Sequence, residues 1–257
     1  TSASLVDTAV FPLPESPSIT INLCFMYLNY TILNYMTQNG RDIKLIEDYV
    51  VSLFETDTSG HDWLHIERVK NTAIYLAHQE NIENTDVIEA SCLLHEIFDY
   101  KLQEHIGRIS EQNVQSILED AHFNKCEILQ ILGIIKNCSW SKEYFEELES
   151  DSIEINIVRD ADKLDSLGAI GIARSFMYGF KNVRPAFKPG GTAKEYRDLQ
   201  QYRKENSDST IHHIIERMLK VQGMLRTKAA RQIAEERHNL TLTFLNHFIF
   251  DWYRFLN

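Results

Sequence analysis

The spacing of apolar residues constrains this chain more than any other feature. From residue 41 onward they recur three and four apart, in stretch after stretch, and hardly anywhere in strict alternation. In RDIKLIEDYVVSLFE (41–55), Ile43, Ile46, Val50, Leu53 and Phe54 fall on one stripe, and in HDWLHIERVKNTAIYLAHQE (61–80) His65, Val69, Thr72, Ala73 and Leu76 do the same. DVIEASCLLHEIF (86–98) is apolar nearly all round, as a buried helix is. CEILQILGIIKNC (126–138) repeats Ile128, Ile131, Leu132 and Ile135, and the rule continues through 153–178, 210–226 and 228–254. Only IEINIV (153–158) has β character, and its flanks favour helix. The pattern predicts an all-α fold, a compact multi-helix bundle, interrupted by one long break at 181–209, where Pro185, Pro189, Gly190 and Gly191 suggest a lid or surface loop.

Residues 1–35 read differently. They carry two charges, Asp7 and Glu15, no Lys or Arg, and three prolines within PLPESPS (12–18). We expect an N-terminal appendage or linker over 1–35 and a domain over 36–257. The most apolar run, 19–36, holds Asn22, Asn29 and Asn34 and has no basic flank before it, which argues against a signal peptide or membrane helix. A formal net charge of −11 disfavours wrapping of nucleic acid, which needs basic surface. Cys24, Cys92, Cys126 and Cys138 show no CxxC spacing and read as reduced thiols, so a cytoplasmic location is expected.

The informative residues are polar groups placed where core should be. His65 lies on an apolar stripe, His61 precedes it by four, and His95 and Glu96 close the most buried helix. VRDADKLDSLGAIGIAR (158–174) then sets Asp160, Asp162 and Asp165 beside Leu164, Leu167 and Ile170. Buried ionisable groups destabilise a fold unless they are paired or bound to a cation. One divalent ion explains all three segments, and imidazole plus carboxylate suits Mn, Fe, Co, Ni or Zn better than Ca, with Mg also admissible.

The order His … His-acid … Asp resembles the HD-domain superfamily of metal-dependent phosphohydrolases, specifically its stand-alone bacterial-type members. His65 in HDWLHIERV matches the first His, His95-Glu96 in LLHEIFDYK matches the His-Asp doublet with Glu in place of Asp, and Asp162 in DADKLDSLGAIGIAR matches the last Asp through its Ala-Asp-x-Leu context. The likeness spans about 36–257 and includes STIHHIIERMLK and AEERHNLTLTFL. It implies a metal held by His65, His95, Glu96 and Asp162, and hydrolysis of a nucleotide or similar small phosphorylated compound by attack of an activated water. It also implies that Asp99 orients that water and that His61 acts as general acid or phosphate contact.

Lys101, Asp165, Arg174 and Lys188 are candidate substrate contacts. His212 and His213 are expected at the surface, with a pocket-facing position for one of them as the alternative, Trp63 and Trp140 in packing, and Gly168 and Gly171 at close helix contacts. The partner expected is a small phosphorylated molecule rather than nucleic acid or membrane, with a homodimer left open. Because the family has Asp where this chain has Glu96, a second reading stands beside the enzyme: a catalytically weakened ligand-binding or regulatory protein.

Overall fold

The computed structural model describes residues 40–99, 102, 106–145 and 151–255. These form helices α1 (Ile43–Phe54), α2 (Trp63–Gln79), α3 (Asp86–Leu94), α4 (Glu111–Asp120), α5 (Lys125–Asn137), α6 (Trp140–Phe145), α7 (Ile153–Asp165), α8 (Gly168–Lys181) and α9 (Leu199–Lys204). A composite rod, α10, then combines Thr210–His213, a π-turn at Ile214–Met218, Leu219–Val221 and a 3-10 turn at Gln222–Met224, and α11 (Lys228–Tyr253) follows. No strand occurs among the described residues, and none of their helices is long and apolar enough to cross a membrane.

The helices begin where side chains can satisfy their first amide groups. Asp62 caps α2 by accepting from the His65 backbone N–H, Ser152 caps α7, and Asn124 with Glu127 forms a reciprocal capping box on α5. Sequence periodicity passed over α4. It has only Val114 and Leu118 buried, too thin a stripe to stand out, but Ser110 and Asn113 supply a capping box at its start.

Two apolar clusters share α3 between them. One gathers Val69, Ala73, Leu76 and Cys92 with Ile157, Val158, Ala161 and Leu164 of α7 and with α10 and α11. The other joins Ile46, Val50 and Phe54 of α1 to Ile66, Leu93 and Leu94 and to Ile128, Ile131 and Ile135 of α5. Each fully buried aliphatic side chain here contributes roughly 1.5–3 kcal/mol. The helix α2 lies along α7 and α3, and α8 lies along α11. This arrangement brings the polar residues of α2, α3 and α7 to one place.

Three expectations need correction. The helix expected over 153–178 is two: it stops at Asp165, and Gly168, at φ +70°, starts α8 in another direction. The break at 181–209 contains α9 and is strapped to α10, because Glu216 accepts hydrogen bonds from the Lys194 backbone N–H (2.9 Å) and the Tyr196 hydroxyl (2.9 Å). His212 is buried rather than on the surface, stacked on Phe187 and 2.7 Å from the Ser209 hydroxyl. Cys92, Cys126 and Cys138 are free thiols.

Candidate metal centre

His65, His95, Glu96 and Asp162 each turn one donor atom to a common point, and all four atoms lie within 4.8 Å of one another. His65 sits on the inner face of α2 and is fully buried. Asp162 comes from the last turn of α7 and is the most exposed of the four, with its side chain 24% accessible. His95 and Glu96 lie just past the regular end of α3. His95 has φ −63° and ψ −27°, and the Ile97 and Asp99 backbone N–H groups bond back three residues, to Leu94 and Glu96. This tight turn ends at Asp99, which lines the cavity beside the cluster.

The donor chemistry fits a cation. The His65 Nδ1–H donates to Asp165 Oδ2 at 2.8 Å, and the His95 Nδ1–H donates to the Cys92 carbonyl at 2.6 Å. With both Nδ1 atoms committed, both Nε2 atoms offer lone pairs to the same space, 3.3 Å apart. Glu96 Oε1 is 3.3 Å from His65 Nε2 and 3.6 Å from His95 Nε2, and Asp162 Oδ1 is 3.6 Å and 3.8 Å from the same atoms. Ligands held at about 2.1 Å around one ion stand roughly 3–3.5 Å apart, close to these gaps. Facing lone pairs and carboxylates repel unless positive charge lies between them. The titration behaviour reflects that demand. Burial, seconded by Arg174, works to lower the His65 imidazole, yet Asp165 and Glu96 outweigh both and raise it. Burial alone would raise Glu96, but the imidazoles of His61, His65 and His95 hold it well below the usual carboxylate range. A divalent ion meets the same demand. Glu96 reaches the cluster in spite of its extra methylene.

Behind the cluster, Asp165 fixes His65. It also accepts from Arg68 Nε (2.8 Å) and Nη2 (3.0 Å), and Arg174 Nη1 lies 3.0 Å from its Oδ2. Burial opposes its ionisation, but His65 and the two guanidinium groups hold its carboxyl far below the normal range. With His65 and the arginines occupying both oxygens, Asp165 does not line the cavity, so the sequence-based placement of it at a substrate contact is replaced by a place behind the ring. Its neighbour Asp160 faces away, accepting from the backbone N–H groups of Arg226 (3.0 Å) and Thr227 (2.7 Å) and from the Thr227 hydroxyl (2.9 Å) at the start of α11.

The cluster opens into a cavity of about 680 Å³. His61, Asp99 and Arg174 line it, as the sequence suggested. His61 lies on the turn before α2 rather than on the helix, its ring centroid 6.0 Å from that of His65 and its Nε2 4.0 Å from Glu96 Oε1. Arg174 Nε donates to the Gly60 carbonyl at 2.6 Å. Gly60 has φ +86°, a conformation that favours glycine. Lys188 is exposed beside Asp208 and is not among the residues that line the cavity. Lys101 lies outside the described residues.

Sequence reasoning missed several lining residues, Arg108, Lys136, Lys142, Tyr178 and Arg217, whereas His213, one of the two adjacent histidines open to facing the pocket, does line it. Trp140, read as packing, also lines the cavity. The Arg217 guanidinium lies 4.6 Å from the Trp140 ring centroid and 4.4 Å from that of Tyr202. It belongs to the π-turn of α10, a distortion that often marks functional sites. No periodicity signal discloses such a turn.

No protein-family model matches the chain. It is 33% identical over 205 residues to the uncharacterized protein YpgQ of Bacillus subtilis, covering 80% of this chain and 91% of that protein. The crystal structure of YpgQ in complex with ADP superposes with a TM-score of 0.64, at 30% identity over 82% of this chain and 97% of that one. A Lactobacillus plantarum protein gives a TM-score of 0.72 at 28% identity, covering 84% of this chain and 98% of its own. A Bacillus thuringiensis protein described as an HD-superfamily hydrolase is 35% identical, with a TM-score of 0.60 over 82% of this chain and 96% of that one.

Proposed function

The chain belongs to the HD superfamily of hydrolases, and from that premise we propose that it is a metal-dependent phosphohydrolase acting on a nucleotide or a similar small phosphorylated compound. The observation that carries the reading is the convergence of two imidazole and two carboxylate donors within 4.8 Å beside a cavity whose lining also supplies Arg108, Lys136, Lys142 and Arg217. An acidic protein takes a phosphorylated ligand where local cations outweigh its net charge. The ADP complex of YpgQ supports a nucleotide as the substrate class.

His65, His95, Glu96 and Asp162 would hold the ion. When bound, such an ion supplies Lewis acidity for a water molecule and for phosphoryl oxygens. Asp99, in the cavity lining, orients the attacking water and accepts its proton. His61 also lines the cavity, its Nε2 4.0 Å from Glu96 Oε1, where a leaving oxygen can take a proton from it. Arg217, packed against the Trp140 and Tyr202 rings, is a fixed cation for a second phosphate or a flat partner for a base.

The alternative, a weakened regulatory protein, rests on Glu96 standing in place of Asp. The approach of Glu96 Oε1 to within 3.6 Å of both imidazoles favours a working site instead. Metal analysis of the purified protein, followed by turnover of a nucleotide panel with added Mn²⁺, tests the proposal. Metal-dependent release of phosphate or pyrophosphate is expected. Equal turnover after thorough chelation, or none with any added metal, would overturn it.

A further inference from the structure

The turn ahead of α2 carries a chain of hydrogen bonds that the metal cluster does not use. Asp57 is buried, and its Oδ2 accepts from Lys181 Nζ of α8 at 2.8 Å. Its Oδ1 accepts from the Ser59 backbone N–H at 2.6 Å and from the Ser59 hydroxyl at 2.5 Å. Ser59, itself buried, places the same hydroxyl oxygen 3.2 Å from Nδ1 of His61. A serine hydroxyl has one hydrogen. A contact of 2.5 Å to a carboxylate with a lysine on its other oxygen is the stronger claim on that hydrogen. The Ser59 oxygen is left to accept, so Nδ1 of His61 must be the donor. The ring is also gripped edge-on by Tyr178, with centroids 5.6 Å apart.

We propose that Asp57 and Ser59 are positioning residues that lock His61 in its Nδ1–H form, so that every proton His61 gives or takes passes through Nε2, the atom facing the cluster. This rests on the phosphohydrolase reading and adds to it how the proton is delivered. In the step concerned, the oxygen of water bonds to phosphorus while the bond from phosphorus to the leaving oxygen breaks, its electron pair going to that oxygen. The leaving oxygen takes the Nε2 proton of His61. The proton released by the attacking water passes to Asp99 and then through solvent back to Nε2, so the net change is addition of one water. Without Ser59, the ring can turn over or adopt the other tautomer, and the acid is lost although His61 remains.

The first test does not depend on activity. Long-range ¹H–¹⁵N correlation spectra of the unmodified protein at about pH 8.5, where imidazoles are mostly neutral, should show the Nδ1–H tautomer for the ring that His61→Gln removes. An Nε2–H tautomer there overturns the proposal. The second test compares phenyl phosphate with p-nitrophenyl phosphate in Mn²⁺, since nitrophenolate departs without a proton and phenolate does not. Ser59→Ala should lower kcat on phenyl phosphate by about tenfold or more, part of the effect expected of an acid–base group. It should leave kcat on p-nitrophenyl phosphate and both KM values within about twofold. Ser59→Thr, which keeps the hydroxyl, should restore the rate. Equal losses on both substrates, or no loss, overturn the relay. If the parent protein hydrolyses no phosphate while the spectrum shows Nδ1–H, the phosphohydrolase reading fails and the lock stands.

Discussion

Replacing Asp165 with Asn separates holding a ligand in place from holding the fold together. The native carboxylate receives Nδ1–H of His65 at 2.8 Å and meets Arg68 and Arg174 at 2.8–3.0 Å. Asn keeps the shape but loses the charge and one acceptor oxygen. Its amide must place N–H groups against either an arginine or His65. If they face His65, the imidazole turns its lone pair to Nδ1 and points Nε2–H into the metal cluster. Loss of such an outer partner lowers metal affinity about 10–100-fold, or about 1.4–2.7 kcal/mol. The arginines are part-exposed, at 36% and 14% for their side chains, and can recover water, so the stability cost should fall below the 3–5 kcal/mol of a fully buried broken pair, at about 2 kcal/mol. Urea denaturation reads the second quantity, and a chelator competition titration, run where the variant is folded, reads the first. Asp160→Asn is the control: that carboxylate is equally buried on the same helix but holds Arg226 and Thr227, the residues leading into α11. It should cost about 1–3 kcal/mol of stability and leave metal affinity unchanged. If Asp165→Asn binds metal within twofold of the parent, or if both variants lose metal alike, the assignment of Asp165 as the partner of His65 is wrong.

His65→Ala and Asp162→Ala should each abolish measurable metal binding by elemental analysis while keeping the helical circular dichroism spectrum. Asp99→Ala should retain the metal and slow turnover by about a hundredfold; unaltered kcat would remove Asp99 from the mechanism. Glu96→Asp withdraws the carboxylate by roughly 1.5 Å from a cluster whose His65–Glu96 gap is 3.3 Å, so metal affinity should fall at least severalfold. A large gain in kcat would instead mark the natural site as weakened. Burial opposes the ionisation of Asp57, but Lys181 and Ser59 prevail and hold its folded pKa below the unfolded value. Its stabilisation is therefore present above the unfolded pKa and is lost as pH falls toward the folded one. The melting temperature should drop on acidification below about pH 4, and less steeply in Asp57→Asn.

Much of the site was legible because a buried ionisable group announces itself against an apolar stripe. His65 among Ile66, Val69 and Ala73, and His95-Glu96 after Leu93 and Leu94, break a pattern that sequence alone displays. Asp165 and Asp160 show the limit of that signal. Both interrupt the same apolar helix near Asp162, yet one fastens a histidine and the other holds the N-cap residue of a helix more than sixty residues away in the chain. Lys188 shows a related limit: a positive charge in a loop carries no information about the direction in which the loop folds.

The sequence by itself determined the all-α class and the longer amphipathic helices, the three segments that carry the candidate ligands, and the kind of ion those ligands suit, because periodicity and side-chain chemistry are local properties. Only the tertiary structure decided which acids meet which imidazoles, that Arg217 and Trp140 share the cavity wall, and that Asp57 reaches His61 through Ser59 while Lys181 anchors it from α8. Those pairings depend on the crossing of helices far apart in the chain and on turns of a few residues, where one backbone angle redirects a side chain by several ångströms.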